Sequence, residues 1–224
     1  MRNLLTAAIL VTASVSNAAL AANPVFHTTA NVSAWTVATT VGGVDGAFDS
    51  FPKSGFVSPV AVTNPVRTSE GTGWIANTDS GSNGNFLENR TFFVFRQAFD
   101  LSGFNASTAN LKFRWAADDS GEGFGSRGVW TPKFRLNGGG LVAGSWPTAW
   151  TYDLGNVTTL SSGFVSGVNT LEFFVEGNGV TDGFALETVS FTAAPVPEPE
   201  TYALLLAGLG MVGVATRRRA VAAA

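Results

Sequence analysis

The chain contains no cysteine and a single histidine, and these absences exclude several classes of protein. Without cysteine it is not a disulfide-stapled secreted scaffold, a thiol enzyme or a protein with a Cys-ligated zinc or iron–sulfur site. His27 alone cannot build a multi-histidine metal centre. The 26 glycines follow no regular period and 12% of the residues are aromatic, which excludes collagen and simple disorder.

Charged residues are also scarce, at 13% of the chain, and the net charge is −3. Four of the basic residues are terminal: Arg2 and the triplet Arg217, Arg218 and Arg219. Without these and the two glutamates of the C-terminal tail, the chain keeps nine basic and fourteen acidic residues, a net charge of −5. An acidic domain that is poor in lysine argues against nucleic acid as a partner.

The first 21 residues have the order of features found in a cleavable export signal. Arg2 precedes an apolar stretch at 4–15, and Ala19 and Ala21 fit the small-residue rule for a cleavage site. The sequence therefore predicts a signal helix over 1–21 that the mature protein lacks. A buried core helix is the alternative.

The C-terminus combines a proline-rich stub at 195–200, an apolar run and an arginine triplet. The prolines predict that the stub is neither helix nor sheet interior. The uncharged run at 202–215 has 14 residues, which is about 21 Å of helix against about 30 Å for a bilayer core. We predict an apolar helix over 202–216 that acts as a single, short transmembrane helix, with the arginines on the cytoplasmic side.

Taken in order, the three parts of the tail at 195–219 resemble the PEP-CTERM sorting signal of Gram-negative bacteria. The residues that carry this motif are Pro197, Glu198, Pro199, Arg217, Arg218 and Arg219. The resemblance implies a partner, an exosortase, which is a membrane transpeptidase that cuts near the Pro-Glu-Pro triplet. It also implies transient residence in the inner membrane, then a cell-surface or extracellular-matrix location, often near exopolysaccharide production. An ordinary single-span anchor is the alternative.

The residues between the two ends, 22–194, show short alternating runs and no sustained helical period. In the run at 111–117, Leu111, Phe113 and Trp115 share one face while Lys112 and Arg114 share the other, which is typical of a half-buried strand. Similar runs occur at 35–41, 57–62, 91–99, 133–136, 150–154, 171–175 and 186–191, separated by turn residues. We predict an all-β domain, an antiparallel β-sandwich with an aromatic core.

A second resemblance covers about 85–193. It is carried by the segments N-R-T-F-F-V-F-R-Q-A-F-D-L at 89–101, W-A-A-D-D at 115–119, L-N-G at 136–138 and G-F-V-S-G-V-N-T-L-E-F at 163–173. These segments are similar to the ectodomain common among PEP-CTERM proteins. That similarity implies a galactose-binding-domain-like jelly roll, a fold that also serves in carbohydrate-binding modules.

The sequence offers little for catalysis. His27 lies near the mature N-terminus, where we expect a mobile arm, and no G-x-S-x-G elbow occurs in the chain. Asp118 and Asp119 are adjacent on a strand, so their side chains point to opposite faces and would not bracket one glycosidic bond. We therefore predict that the protein is not an enzyme.

One loop is rich in oxygen ligands. Asp118, Asp119 and Glu122 occur in D-D-S-G-E-G at 118–123 and are candidate ligands for a structural calcium ion. The alternative is that the same residues only form a turn, which needs no ion. No other cofactor is predicted.

Trp130, Trp146 and Trp150 lie in or beside glycine- and proline-containing segments rather than in alternating runs. Exposed indole rings can stack on sugar rings, so these three are candidate carbohydrate-binding residues; the alternative is that they cap the ends of the sandwich. We predict a non-catalytic, exopolysaccharide-associated binding module of the biofilm matrix. A purely structural or adhesive matrix protein is the main alternative, and a glycan hydrolase a further one.

Overall fold

The computed structural model describes most of the sandwich and the C-terminal helix. The described residues are 23–41, 55–61, 73–76, 91–118, 132–144, 154–177, 183–197 and 199–222. The predicted signal helix at 1–21 lies outside them.

Within the described ranges, ten strands form two five-stranded sheets in which the pairings are antiparallel. The first sheet has the order β1 (Thr36–Val41), β4 (Thr91–Asp100), β9 (Val168–Gly177), β6 (Lys133–Leu136) and β7 (Val142–Ala143). The second has the order β2 (Val60–Ala61), β3 (Ile75–Ala76), β10 (Gly183–Pro195), β5 (Phe104–Asp118) and β8 (Thr158–Leu160). The predicted antiparallel sheets are confirmed; the jelly-roll assignment and the likeness to galactose-binding domains remain predictions.

Alternation along the long strands builds the core between the sheets. On β5, Leu111 and Phe113 are fully buried and Trp115 is almost so, while Lys112 on the opposite face is exposed. Phe93 and Phe95 on β4 are buried in the same way. The sequence predicted this face of each strand correctly.

Phe173 lies at the centre of the aromatic core. Its ring centroid is 4.8 Å from that of Phe184 and 5.0 Å from that of Trp115. Three more aromatic rings pack against that of Phe173. They belong to Trp35, Phe113 and Phe134. Edge-on and tilted ring contacts of this kind hold both sheets together.

The segment before β1 bridges the two sheets. Gln97, buried on the core side of β4, accepts a hydrogen bond from the His27 backbone N–H (2.7 Å) and donates one to the His27 carbonyl (2.9 Å). Thr29 is fully buried and its hydroxyl accepts from the Leu186 backbone N–H of β10 (3.0 Å). The expectation of a mobile arm at His27 is therefore wrong, because the backbone here is bound to both sheets.

The middle of strand β9, at 171–175, is buried on both of its faces. Phe173 points into the core, but Phe174 on the opposite face is also fully buried, and so nearly is Glu172 at 4% exposure. Trp74 is buried as well, and it packs with Ala116 and Ala185 in a small separate cluster.

The predictions for three of the shorter strands are confirmed only in part. The run at 133–136 coincides with β6. In the described part of the run at 57–62, which stops at residue 61, Val60–Ala61 forms a strand and Val57 makes an isolated bridge to Val37. Most of the run at 150–154 lies outside the described residues.

Candidate functional site: the sorting tail and the pole it leaves from

The last strand carries the chain directly into the tail. Pro195 still pairs with Phe104 of β5, and the Val196 backbone N–H donates to the Gly103 carbonyl at 2.8 Å. The Ala194 N–H donates to the Thr108 hydroxyl, also at 2.8 Å. The sheet therefore ends at Pro195, two residues before the Pro-Glu-Pro triplet. Pro195 closes a strand and does not lie in a sheet interior, but the expectation that the stub at 195–200 is not helical is wrong at its last two residues, which begin a helix.

Helix α1 (Pro199–Ala222) begins at the second proline of the motif. Proline suits the first helical position because its missing N–H would have no partner there and its fixed φ is already helical. At the other end, Arg219 lies in the last turn, where a positive charge favours the helix dipole. The predicted helix at 202–216 is confirmed as part of a longer one.

The apolar side chains of α1 point outward on every side. Leu204, Leu205, Leu206 and Leu209 are 59–68% exposed. Even so, no helix among the described residues is long and apolar enough to cross a membrane. The predicted transmembrane helix is thus not supported, because the apolar run stops at the arginines after the 14 residues of 202–215.

A tight turn at 101–103 lies beside the point where the tail leaves the sandwich. Gly103 adopts a left-handed conformation (φ 81°), which favours glycine. The Asp100 carboxylate accepts a hydrogen bond from the Ser102 backbone N–H at 2.7 Å. That bond, with a second from the Ser102 side chain, lowers the pKa of Asp100 below its usual range.

The loop at 161–167 is fixed to this turn and to β6 by two asparagines. The Leu101 N–H donates to the Gly167 carbonyl at 2.9 Å. Asn169, fully buried, donates to the carbonyls of Val165 and Gly167 and accepts from the Val165 N–H. Asn137 donates to the Asn169 side chain at 2.8 Å. These asparagines of the L-N-G and V-N-T segments therefore have a structural role, since their amides replace missing backbone partners.

A second polar cluster lies on the outer face of the first sheet. Arg96 of β4 and Arg135 of β6 both pair in register with Glu172 of β9. Arg96 Nε donates to one carboxylate oxygen (2.9 Å) and Arg135 Nε to the other (2.6 Å). The Phe56 ring lies over the Arg96 guanidinium, 3.5 Å from ring centroid to Cζ. Both oxygens of the buried carboxylate are thus neutralised.

Alternation in the run at 171–175 puts Glu172 on the face opposite Phe173, but it shows neither the burial of this carboxylate nor its partners. In the sequence, this cluster is visible only as residues of opposite charge on three separate strands. A similar cross-strand pair, Arg114 with Glu187, lies on the second sheet and is about one-third exposed.

The predicted ligand residues fall at or beyond the limits of the described chain. Asp118 is the last residue of β5, and nothing is described of its side chain. Asp119 and Glu122 lie outside the described residues, as do Trp130, Trp146, Trp150 and Glu198. In the part that is described, no three acidic or histidine side chains are grouped as a metal site would need. The calcium and sugar sites remain predictions.

Residues 195–219 match the PEP-CTERM protein-sorting motif. This match supports an exported protein that an exosortase processes and that reaches the cell surface afterwards. No curated protein matches the chain.

Proposed function

We propose that the β-sandwich works outside the cell as a non-catalytic module that binds exopolysaccharide, after the sorting enzyme has removed α1. The sorting motif supports the export and processing. The observation that carries the proposal is the junction at Val196, where a finished sheet passes into a separate, exposed apolar helix within three residues. Such a junction suits a domain that keeps its fold when its tail is cut off.

The polar side chains of the described sandwich support a non-catalytic role. Glu172, Asn137 and Asn169 are occupied by hydrogen bonds to neighbouring strands and loops. Catalytic groups need instead to converge on a place where a substrate atom can lie. We therefore propose binding or organisation of a polymer rather than its cleavage.

Sugar contact is proposed for Trp130, Trp146 and Trp150. In the described part of the sandwich, the large apolar side chains that are clearly exposed are aliphatic, and no aromatic ring is among them. A stacking platform would therefore come from these three tryptophans, which lie between the described strands.

Retention on the exopolysaccharide of the producing organism tests this proposal. We expect Trp146→Ala or Trp150→Ala to weaken retention and to abolish a fluorescence change on adding the polymer, because stacking area is lost. Val142→Ala, at an exposed aliphatic site on β7, is the control and should bind like the parent. If the parent is not retained at all, a structural or adhesive matrix role replaces the binding proposal.

A structural calcium ion held by Asp118, Asp119 and Glu122 is proposed as a separate point. An ion that binds only the folded state raises the melting temperature by mass action. Chelator should then lower the melting temperature of the protein, and added calcium should restore it. An unchanged melting curve would leave the loop as a turn without an ion.

A further inference from the structure

We propose that one end of the sandwich, here called the exit pole, is the docking surface for the sorting enzyme. The exit pole consists of the turn at 101–103, the loop at 161–167 with Val168, and Val196. This inference rests on the proposed processing of the tail and adds the surface that the enzyme contacts.

The length of the chain requires the enzyme to approach this pole. Val196 is hydrogen-bonded to Gly103, and α1 begins at Pro199. Three residue steps span at most about 10 Å. Every peptide bond of the Pro-Glu-Pro triplet therefore lies within about 10 Å of the folded domain, so an enzyme that encloses one of these bonds also touches the exit pole.

The chemistry of the pole suits an apolar protein surface. Val165, Val168 and Val196 are 49%, 67% and 52% exposed. Val168 and Val196 flank one turn, because Val168 pairs with Asp100 and the Val196 N–H donates to the Gly103 carbonyl. Val165 is held to the same loop by the Asn169 side chain. Exposed aliphatic side chains at the point where a partner must approach suit a docking site.

The charge of the pole favours a protein over an anionic lipid surface as the occupant. Asp100 is the charged residue at the turn, and the segments 101–111, 154–171 and 192–197 contain no Asp, Glu, Lys or Arg. Anionic headgroups attract clusters of lysine and arginine, which these segments lack.

The pole is also held in shape before any partner arrives. Asn169 and Asn137 fix the loop at 161–167, and Gly167 adopts the left-handed conformation (φ 81°) that the loop needs. A preformed surface loses little conformational entropy on binding, so a small contact area can suffice for recognition.

The test compares full-length variants in a strain that has the sorting enzyme, by following the shortened product in a pulse-chase. The variant Val165→Thr/Val168→Thr keeps β-branched side chains but makes the patch polar. We expect processing to slow by about tenfold, the factor that corresponds to about 1.4 kcal/mol of lost contact. The control, Val142→Thr/Val189→Thr, changes two valines that are each 48% exposed and lie away from the pole; it should be processed at the parent rate.

A second parent protein, with a longer junction, separates an effect on docking from an effect on folding. Ten Gly/Ser residues between Val196 and Pro197 add a flexible tether of about 17 Å, so the enzyme no longer needs to touch the pole. In that background the Val165/Val168 variant should be processed as fast as its own parent. Parent-like processing of this variant at native spacing would overturn the proposal, and so would an equal defect in both backgrounds. Failure of the unmodified protein to be shortened would instead reject the proposed sorting.

Discussion

The same residue, leucine, has opposite fates in the two parts of this molecule. Leu111, Leu171 and Leu186 of the sandwich are fully buried, whereas Leu204 and Leu206 of α1 are 63% and 68% exposed. The first three alternate with polar residues on paired strands, so one face of each strand can be covered by the facing sheet. The helix is apolar on every side, which no single neighbouring surface could cover.

The contrast shows that only the sandwich covers its own apolar side chains. The sandwich satisfies its own apolar and polar groups, including the buried Glu172 and Asn169. Helix α1 is joined to it through a short junction and contributes no residue to the core. Changes in the tail should therefore leave the stability of the domain unchanged and affect processing alone.

The largest effect is expected from Phe173→Ala. Removing the ring at the centre of the aromatic core should lower the free energy of unfolding by about 3–5 kcal/mol, because the cavity cannot be refilled. Chemical denaturation of the purified protein measures this. Leu206→Ala in α1 is the control and should leave the same transition unchanged; a comparable loss there would show that the tail belongs to the fold.

The next effect concerns the two charged pairs on the outer faces. Glu172→Gln leaves Arg96 and Arg135 side by side without a counter-charge and should cost about 2–3 kcal/mol. Glu187→Gln removes the exposed partner of Arg114 and should cost less than about 1 kcal/mol. Equal losses in denaturation would contradict the assignment of Glu172 as a buried, structurally required carboxylate.

Asn169→Ala should have a smaller and more local effect. The loss of its amide leaves the backbone of Val165 and Gly167 without partners, at a cost of about 1–3 kcal/mol. The loop at 161–167 should then be cut faster by protease than in the parent. Asn105→Ala is the control, because this asparagine is exposed and its side chain accepts its hydrogen bonds from Ser107. If protease cuts the loop of Asn169→Ala no faster than that of the parent, Asn169 is not what keeps the exit pole rigid.

The smallest effect follows from the pKa of Asp100. Because hydrogen bonds from Ser102 lower this pKa in the folded state, the ionised carboxylate favours folding, and this contribution is lost as the pH falls through the lowered value. An NMR titration should find the Asp100 carboxyl below the usual aspartate range. Ser102→Pro removes the backbone donor and should shift it back; a normal value in the parent would contradict the turn geometry.

The sequence revealed those features that depend on the order of residues along the chain. Alternation identified the buried faces of β4, β5 and β9, and the order of triplet, apolar run and arginines identified the tail. The cluster of Arg96, Glu172 and Arg135 depends on strand register, which a single sequence does not state. Hydropathy alone predicted that α1 spans a membrane, but the apolar run ends too soon, at the arginines. The tryptophan and calcium hypotheses rest on residue type alone, in stretches of sequence where no hydrophobic period fixes the position of a side chain.

Mass spectrometry of the mature surface protein tests the central claim, that the tail is a removable sorting signal attached to a complete domain. The sample is taken from a strain that has the sorting enzyme, and a strain without the enzyme is the control. We expect a C-terminus near Pro197, Glu198 or Pro199, with α1 and its arginines absent, and the uncut form only in the control strain. An intact α1 in the mature surface form would contradict the account and identify the tail as a permanent part of the protein.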